Sequence, residues 1–403
     1  MREMKDSGIE WLGLTSADYS IVKLKHICNM QAGKNLSSEQ IAPEGEYPVY
    51  GGNGLRGYYS QYNNDGKRIL VGRQGALCGN VHFAEGQFWA TEHAVVTYAY
   101  PSVNLNFLYY LLVGMNLNQF VSPTAAQPGL AVSTIQNITT CVPKYEEQSR
   151  IAAYLDRRCA AIDALIANQQ QQIDKLKQYK QAVITEAVTR GLDPNVRMKD
   201  SGVEWIGEVP ENWSIKKFSY CARIMSNLVD PVQYLDLPQI APDSIEKGAG
   251  KLSRAVQTVR EAGVVSWNHL FRKGQIIYSK IRPLLNKLII APFDGLCSAD
   301  MYPIETDNNT AFIAYAMLSN YFVSQVGLFV ANRVKMPKIN QEELASIMIA
   351  LPSLQEQQAI TMFLDERCAQ IDVLITLKQQ KADKLAQYKK SLIYEVVTGK
   401  QEV

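Results

Sequence analysis

Polar and basic side chains follow predicted strands at two distant places in the chain. The first strand-like run is 69–71 and the second is 275–278. Arg and Lys side chains pair with guanine edges, and Gln and Asn side chains pair with adenine edges. We therefore predict two groups that contact nucleic acid, with ordinary solvated loops as the alternative. The first group is Arg73, Gln74, Asn80 and His82, and the second is Lys280, Arg282, Asn286 and Lys287.

Two further loops carry the same kind of chemistry. The glycine-rich loop 51–57 contains Asn53 and Arg56, and glycines let backbone amides approach an anion. A plain tight turn explains the same residues without a ligand. Arg333, Lys335 and Lys338 form a basic loop, although such a run is usually only a solvated face.

Motifs typical of catalysis are missing from the sequence. It has no phosphate-binding Gly-x-x-x-x-Gly-Lys-Ser/Thr loop, no His-Glu-x-x-His and no Gly-x-Ser-x-Gly motif. The segment 230–234, Asp-Pro-Val-Gln-Tyr, departs from an amino-methyltransferase motif at Val232, and we interpret it as a turn. His93 lies beside an apolar run and is interpreted as a structural histidine.

The composition is that of an ordinary globular protein of two to three domains. The 403 residues are 47% hydrophobic and 20% charged, with a net charge of +2, so any polyanion site must come from local clustering. Seven widely spaced cysteines favour reduced thiols over a disulfide scaffold or a zinc site. The first residues lack the apolar core of a signal peptide, so we expect a soluble, cytoplasmic protein.

The chain is a tandem duplication. The octapeptide 4–11, Met-Lys-Asp-Ser-Gly-Ile-Glu-Trp, returns at 198–205 with Val in place of Ile. A longer repeat pairs residues 147–189 with 356–398, and 24 of these 43 positions are identical. Repeats of this length indicate two copies of one structural unit.

The long repeat predicts two helices with a coiled-coil seam. Each begins just after Pro143 or Pro352, runs about 40 residues and carries apolar residues at alternating steps of four and three. Polar residues interrupt both seams at matching places, Gln169 with Lys378 and Lys180 with Lys389. We expect the helices to pack on each other as one antiparallel pair. The seam includes Leu155, Ile162, Ile166 and Leu176 in the first helix, and Leu364, Ile371, Ile375 and Leu385 in the second.

Two segments outside the helices, 19–145 and 213–354, are predicted to be α+β domains, here called the first head and the second head. Both contain short β-branched runs, and helices are predicted at 104–117 and 310–324. The predicted fold class is therefore α+β, with two globular heads, two long antiparallel helices and pseudo-two-fold symmetry.

These features resemble the DNA-specificity (S) subunits of type I restriction-modification enzymes. The resemblance covers nearly the whole chain and depends on the repeated Lys-Asp-Ser-Gly-x-Glu-Trp and on 143–148 and 352–357, which lead into Ile-x-x-x-Leu-Asp helices. The segments 47–54 and 278–283 look like target-recognition motifs of that family. It implies target-recognition domains at 1–145 and 213–354, helical spacers at 146–190 and 355–403, and a linker at 191–212.

The resemblance also implies a non-catalytic protein with several partners. Each target-recognition domain would read one half of a split site in double-stranded DNA, and the helices would set the spacer between the halves. Two methyltransferase subunits and the restriction (translocase and nuclease) subunits would dock on the assembly. No cofactor is expected on this chain, since S-adenosylmethionine would bind the methyltransferase partner. The alternatives are a coiled-coil adaptor whose heads bind proteins and a self-contained enzyme built from irregular loops.

Overall fold

The computed structural model describes residues 2–75, 78–121, 129–333 and 335–403. The chain forms two compact units, one of residues 1–170 with 379–403 and the other of residues 171–378. The sequence-based division gave each helix a segment of its own. The structure instead divides both helices between the units, because each helical half packs into a core together with one head.

The first unit contains the first head and the opening half of the first long helix. Its strands are β1 (Met4–Asp6), β2 (Leu14–Ser16), β3 (Ser20–Lys23), β4 (Cys28–Ala32), β5 (Tyr47–Gly51), β6 (Gly54–Tyr59), β7 (Arg68–Gly72), β8 (Val81–Ala84), β9 (Trp89–Ala90), β10 (Ala94–Ala99) and β11 (Thr139–Val142). Its helices are α1 (Leu105–Gly114), α2 (Val132–Asn137) and α3 (Tyr145–Arg190), the last continuing into the second unit. The main sheet has the order β4-β10-β7-β8, and a second sheet has the order β6-β5-β9.

The second unit repeats this plan. Its strands are β12 (Met198–Asp200), β13 (Glu208–Pro210), β14 (Ser214–Lys217), β15 (Arg223–Ile224), β16 (Leu228–Val229), β17 (Gln239–Ile240), β18 (Asn268–Phe271), β19 (Ile276–Ser279), β20 (Leu288–Ile290), β21 (Gly295–Ser298), β22 (Met301–Glu305) and β23 (Met348–Leu351). Its helices are α4 (Phe218–Cys221), α5 (Thr310–Leu318), α6 (Asn320–Val330), α7 (Gln341–Ser346) and α8 (Leu354–Val397), the last continuing into the first unit after residue 378. The sheets have the orders β15-β22-β19-β20 and β16-β18-β21-β17.

The main sheets of the two heads share one topology. In each, the strand before the polar group, β7 or β19, lies between a long antiparallel partner and a short outer strand. Both groups of polar residues predicted from the sequence therefore follow equivalent strands. The predicted helix 310–324 is instead two helices, because the backbone of Ser319 is extended and its hydroxyl donates to the carbonyl of Ala316.

Matching glutamines tie the heads to the long helices. The side chain of Gln148 accepts from the backbone N–H of Asn104 at 2.8 Å and donates to the carbonyl of Pro143 at 2.9 Å. In the second unit Gln357 accepts from Asn309 at 3.0 Å and donates to the carbonyl of Pro352 at 3.0 Å. Both glutamines are buried, so each contact satisfies polar groups that burial would otherwise leave unpaired.

The predicted seam is confirmed within each unit. In the first unit Leu155 and Ile162 share a core with Leu392 and Val396, and in the second unit Ala187 shares one with Leu364 and Cys368. Within the second unit, contacts of Gln172 with Lys378 and of Tyr179 with Arg367 run in opposite directions along the two helices, as an antiparallel pair requires.

The polar seam positions are occupied by ion pairs. In the first unit the Nζ of Lys389 lies 2.7 Å from a carboxylate oxygen of Asp163, and in the second unit the Nζ of Lys180 lies 2.8 Å from Asp372. Each pair joins one lysine and one aspartate on opposite helices. Such pairs make a shifted register unfavourable, because a shift would leave a charge without its partner in a partly apolar seam.

All seven cysteines are unpaired and buried. Among the described residues no group of three or more His, Cys, Asp or Glu side chains is arranged to hold a metal ion. Within the described ranges no single helix is long and apolar enough to cross a membrane. The bent pair of α5 and α6 together has the length and apolar composition of one span.

Candidate nucleic-acid interface

In the first head, four of the predicted contact residues lie together at one end of the main sheet; this set, Asn53, Arg73, Gln74 and Asn80, is here called the first rim. The Nδ2 of Asn80 donates to the Oδ1 of Asn53 at 3.1 Å, and the carbonyl of Asn80 accepts from the backbone of Gly72 at 2.8 Å. Asn53 and Gln74 are exposed, whereas Arg73 and Asn80 are partly buried. The structure therefore joins the glycine-rich loop to the group that follows β7.

The first rim is built on a close approach of two glycines. A Cβ placed on Gly72 would lie 2.0 Å from the carbonyl oxygen of Gly52, and one placed on Gly52 would lie 3.1 Å from the carbonyl of His93. The backbone of Arg73 donates to that same carbonyl at 3.0 Å. Only glycine at position 72 allows this packing, so Gly72 is a positioning residue that the sequence analysis did not single out.

The remaining candidates of the first head lie around this rim. The Arg56 side chain is exposed, lies over Gly51 and donates to the hydroxyl of Ser38 at 3.4 Å. His82 is partly buried, and burial lowers its pKa, so its imidazole is neutral near pH 7. The Nε2 of His93 lies 3.0 Å from a carboxylate oxygen of Glu92, which fits the structural role that we expected for this histidine.

In the second head, Lys280, Arg282, Lys335 and Lys338 lie on neighbouring segments, here called the second rim. Ile281 forms a β-bridge with Lys338, the backbone of Arg282 donates to the carbonyl of Pro337 at 2.8 Å, and the backbone of Ile339 donates to the carbonyl of Lys280 at 3.0 Å. Arg282, Lys335 and Lys338 are exposed, and Lys280 is partly buried.

The second rim is held in a strained backbone conformation. Arg282 has a φ of 45° and Met336 a φ of 43°. Both angles lie in the left-handed region, which residues other than Gly and Asn rarely adopt. Strain of this kind persists where surrounding contacts over-determine it, and it clusters at functional sites. The exposed guanidinium of Arg282 is thus presented from a fixed turn.

One acid organises the second rim. The backbone carbonyl of Asp300 accepts from the N–H of Lys280 at 3.0 Å, and its carboxylate lies 3.0 Å from the Nζ of Lys338. Lys338 is therefore partly neutralised, whereas Arg282 and Lys335 have no ion pair recorded among the described residues. Sequence reasoning missed Asp300 because its distance from Lys338 along the chain gives no local signal.

Two predicted contacts of the second head point inward. Asn286 is 5% exposed, and its Nδ2 donates to the carbonyl of Met317 at 2.9 Å, so the prediction that its side chain contacts DNA is wrong for this structure. Its φ of 45° and its burial indicate a structural turn. The Nζ of Lys287 donates to the carbonyl of Pro242 at 2.7 Å, which ties this partly buried lysine to the protein. Arg333 forms an ion pair with Glu343.

The segment 230–234 is a turn, as interpreted from the sequence. Residues Pro231–Tyr234 form a short 3-10 helix, and the side chain of Asp230 caps it by accepting from the backbone of Val232 at 3.0 Å. The carboxylate is therefore engaged in local structure, which explains the Asp-Pro pair without catalysis.

The geometry offers hydrogen-bonding groups for recognition at the same end of each main sheet. The first rim presents amides and one guanidinium, and the second presents lysines and one guanidinium. Amide groups can pair with adenine and basic groups with guanine or phosphate, so the two surfaces would prefer different sequences.

Comparison with known proteins agrees with this arrangement. The family model described as "Type I restriction modification DNA specificity domain" matches residues 17–178 and again 259–387. The chain is 31% identical over 391 residues to the Type I restriction enzyme EcoDI specificity subunit of Escherichia coli, covering 93% of this chain and 86% of that protein. It is 48% identical over 138 residues to the EcoprrI specificity subunit of the same species, covering 33% of this chain and 34% of that protein.

A solved structure has the same fold. A chain from the structure titled "Structural basis underlying complex assembly and conformational transition of the type I R-M system" superposes with a TM-score of 0.68, covering 96% of this chain and 99% of that one at 13% identity. The family model matches twice and the EcoDI relative matches along most of its length. The protein therefore belongs to the family of type I restriction-modification DNA specificity subunits.

Proposed function

We propose that this chain is the sequence-reading subunit of a type I restriction-modification complex. The first head reads one half of a bipartite DNA target through the first rim, and the second head reads the other half through the second rim. The chain itself carries no catalytic residues in this proposal. The helix pair formed by α3 and α8 sets the spacer between the halves.

One observation carries the proposal: two different polar surfaces follow equivalent strands, β7 and β19, of a duplicated framework. The contacts that tie head to helix are the same in both units, such as Gln148 with Asn104 and Gln357 with Asn309. The rims differ in charge and hydrogen-bonding groups. A framework that stays constant while the rims change is suited to reading two unlike sequences with one architecture.

The helices also offer a surface for partner subunits. Large apolar side chains lie off the seam and are exposed: Leu165, Met362, Phe363, Val373, Leu374 and Leu377. Exposed apolar residues grouped on helices mark protein interaction sites. We propose that two methyltransferase subunits dock on these helices and that restriction subunits join them. The stoichiometry of the purified complex tests this number.

The proposal also covers the methyl donor and the cellular compartment. S-adenosylmethionine binds the methyltransferase partner, and this chain takes no cofactor. The complex works in the cytoplasm, where its DNA is found.

Methylome sequencing tests the proposed function directly. Cells carrying this chain and its partner genes should methylate a motif of two specific elements separated by roughly five to eight non-specific base pairs, because two DNA-reading domains of one protein typically contact half-sites about one helical turn apart. The control is the same strain without the gene for this chain, which should lose that methylation. A single continuous motif, or methylation that persists in the control, would contradict the proposal.

A further inference from the structure

An exposed apolar loop, residues 264–267, precedes β18 in the second head. Val265 is 91% exposed and Trp267 is 59% exposed, whereas Trp213 of the same unit is 1% exposed. Covering apolar side chains that are this accessible is favourable, because it removes apolar surface from water. Neither residue belongs to the candidate contacts predicted from the sequence.

The loop is held at both ends. The backbone of Val264 donates to the carbonyl of Val259 at 3.2 Å, and Val259 is fully buried. At the other end the Nδ2 of Asn268 donates to the carbonyl of Ser266 at 2.8 Å, and Asn268 is also buried. The tip is therefore presented from a tethered loop, which reduces the entropy lost when a ligand binds.

A short chain of contacts links the loop to the second rim. Asn268 pairs with Ser298 across β18 and β21, and the hydroxyl of Ser298 accepts from the backbone of Asp300 at 3.2 Å. Asp300 in turn holds Lys280 and Lys338. The start of β18 and the end of β19 thus lie at the same end of the second head.

The charge of Lys280 also acts on β18. Burial lowers the pKa of His269 on β18, and the positive charge of Lys280 lowers it further. The ammonium group of Lys280 is therefore close enough to β18 for its charge to act there. The apolar tip and the basic side chains consequently lie at the same end of the second head.

We propose that Trp267, with Val265 beside it, is an apolar anchor that contacts a base in the half-site read by the second head. The inference rests on the proposed function and adds to it a specificity-determining residue. The occupant is duplex DNA, because the second rim carries four basic side chains and is organised by one acid, Asp300, and this excess of positive charge complements phosphate. Aromatic and aliphatic side chains contact thymine methyl groups or stack on bases.

The test measures binding of the complete complex, including its methyltransferase subunits, to DNA duplexes. These duplexes carry the sequence motif that methylome sequencing defines. Trp267→Ala should weaken binding by about 5- to 150-fold on the full target, as removal of one aromatic base contact does. The loss should vanish on duplexes whose second half-site is already scrambled, and it should persist when the first is scrambled. Trp267→Phe should retain more affinity than Trp267→Ala.

Trp205→Ala is the matched control, because Trp205 is also exposed, at 41%, in the same unit but on the loop between β12 and β13. It should leave half-site selectivity unchanged. Replacing each thymine of the second half-site by deoxyuridine separates two forms of the contact. If replacing one thymine weakens DNA binding by the wild type but not by Trp267→Ala, the tryptophan contacts the methyl group of that thymine. If Trp267→Ala loses affinity only at the second half-site and no thymine behaves in this way, the tryptophan stacks on a base.

Three results would overturn the inference. Unchanged affinity of Trp267→Ala removes the residue from the interface. Equal loss on target and scrambled duplexes makes it a non-specific contact, and failure of the folded variant to assemble with its partners makes the loop a protein interface. If the wild-type complex itself shows no preference for the motif, the proposed function fails instead, so the two failures are distinguishable.

Discussion

Replacing Gly72 by alanine should disable recognition by the first head alone. The added Cβ would lie 2.0 Å from the carbonyl oxygen of Gly52, and real Cβ atoms essentially never come within 3.0 Å of such a neighbour, so the two loops must separate by about 1 Å. The atoms nearest to the added Cβ all belong to the backbone of Gly52, so no side-chain rotation can relieve the clash. Gly52 precedes Asn53 and Gly72 precedes Arg73, so the displacement falls within the first rim.

The expected loss is large for binding and modest for stability. Overpacking of this kind costs about 1–3 kcal/mol of unfolding free energy. A displacement near 1 Å exceeds the roughly 0.5 Å tolerance of a positioned binding group, so most selectivity for the first half-site should disappear. Binding of the purified complex to duplexes with either half-site scrambled measures this, and thermal unfolding measures the stability.

Gly86→Ala is the control for destabilisation without displacement of the rim. Gly86 also lies in the first head and has a φ of 77°, but no atom lies within 4 Å of an added Cβ. Its strain should cost about 1–2 kcal/mol and leave half-site selectivity intact. The reasoning is refuted if Gly72→Ala keeps wild-type selectivity for the first half-site, or if it weakens both half-sites equally.

Three other predictions follow from the described contacts. Lys280→Ala and Arg282→Ala should each cost on the order of 1–3 kcal/mol at the second half-site if the contact is to a base; a competition titration in which all sequences weaken equally would identify phosphate contacts instead. Inserting four residues after Gln169 should lengthen α3 by about 6 Å, and the methylome of the variant should show the same half-sites with a longer spacer; an unchanged spacer in an active variant would contradict the proposal that the helices set the spacer. Burial raises the pKa of the Cys28 thiol to about 12 and that of the Cys141 thiol to about 11. The stability that these protonated thiols contribute should therefore be complete below about pH 8.5 and should fall as the pH rises toward 11–12. Denaturant titrations across that pH range measure this loss.

Local patterns predicted the framework well because the physics behind them is local. Steps of four and three place Leu155 and Ile162 on one helical face, and that face is buried. The polar interruptions at Lys180 and Lys389 could be located from the sequence, but their partners could not. Asp372 and Asp163 become partners only when the helices pack antiparallel.

The candidate site was predicted less completely because its details depend on contacts between distant residues. Asn286 follows a strand and looks like a contact residue, yet its amide donates to Met317 inside the head. The approach of Gly72 to Gly52 joins two loops twenty residues apart, and Asp300 reaches Lys338 from another strand. Residue type and spacing indicated a candidate surface, whereas burial and backbone conformation decide which side chains are available on it.

The two units show how one framework can support two recognition surfaces. The tyrosines of both heads reach equivalent aspartates of the helices, Tyr110 to Asp156 at 2.8 Å and Tyr315 to Asp365 at 2.7 Å. These contacts lie between head and helix, whereas the rims lie at strand ends and share no hydrogen bond with them. A substitution at a rim therefore changes the side chains that the rim exposes without touching the contacts that hold the head. Additivity is expected for sites that share no partner, so rim variants of one head should combine with rim variants of the other with independent effects on the two half-sites.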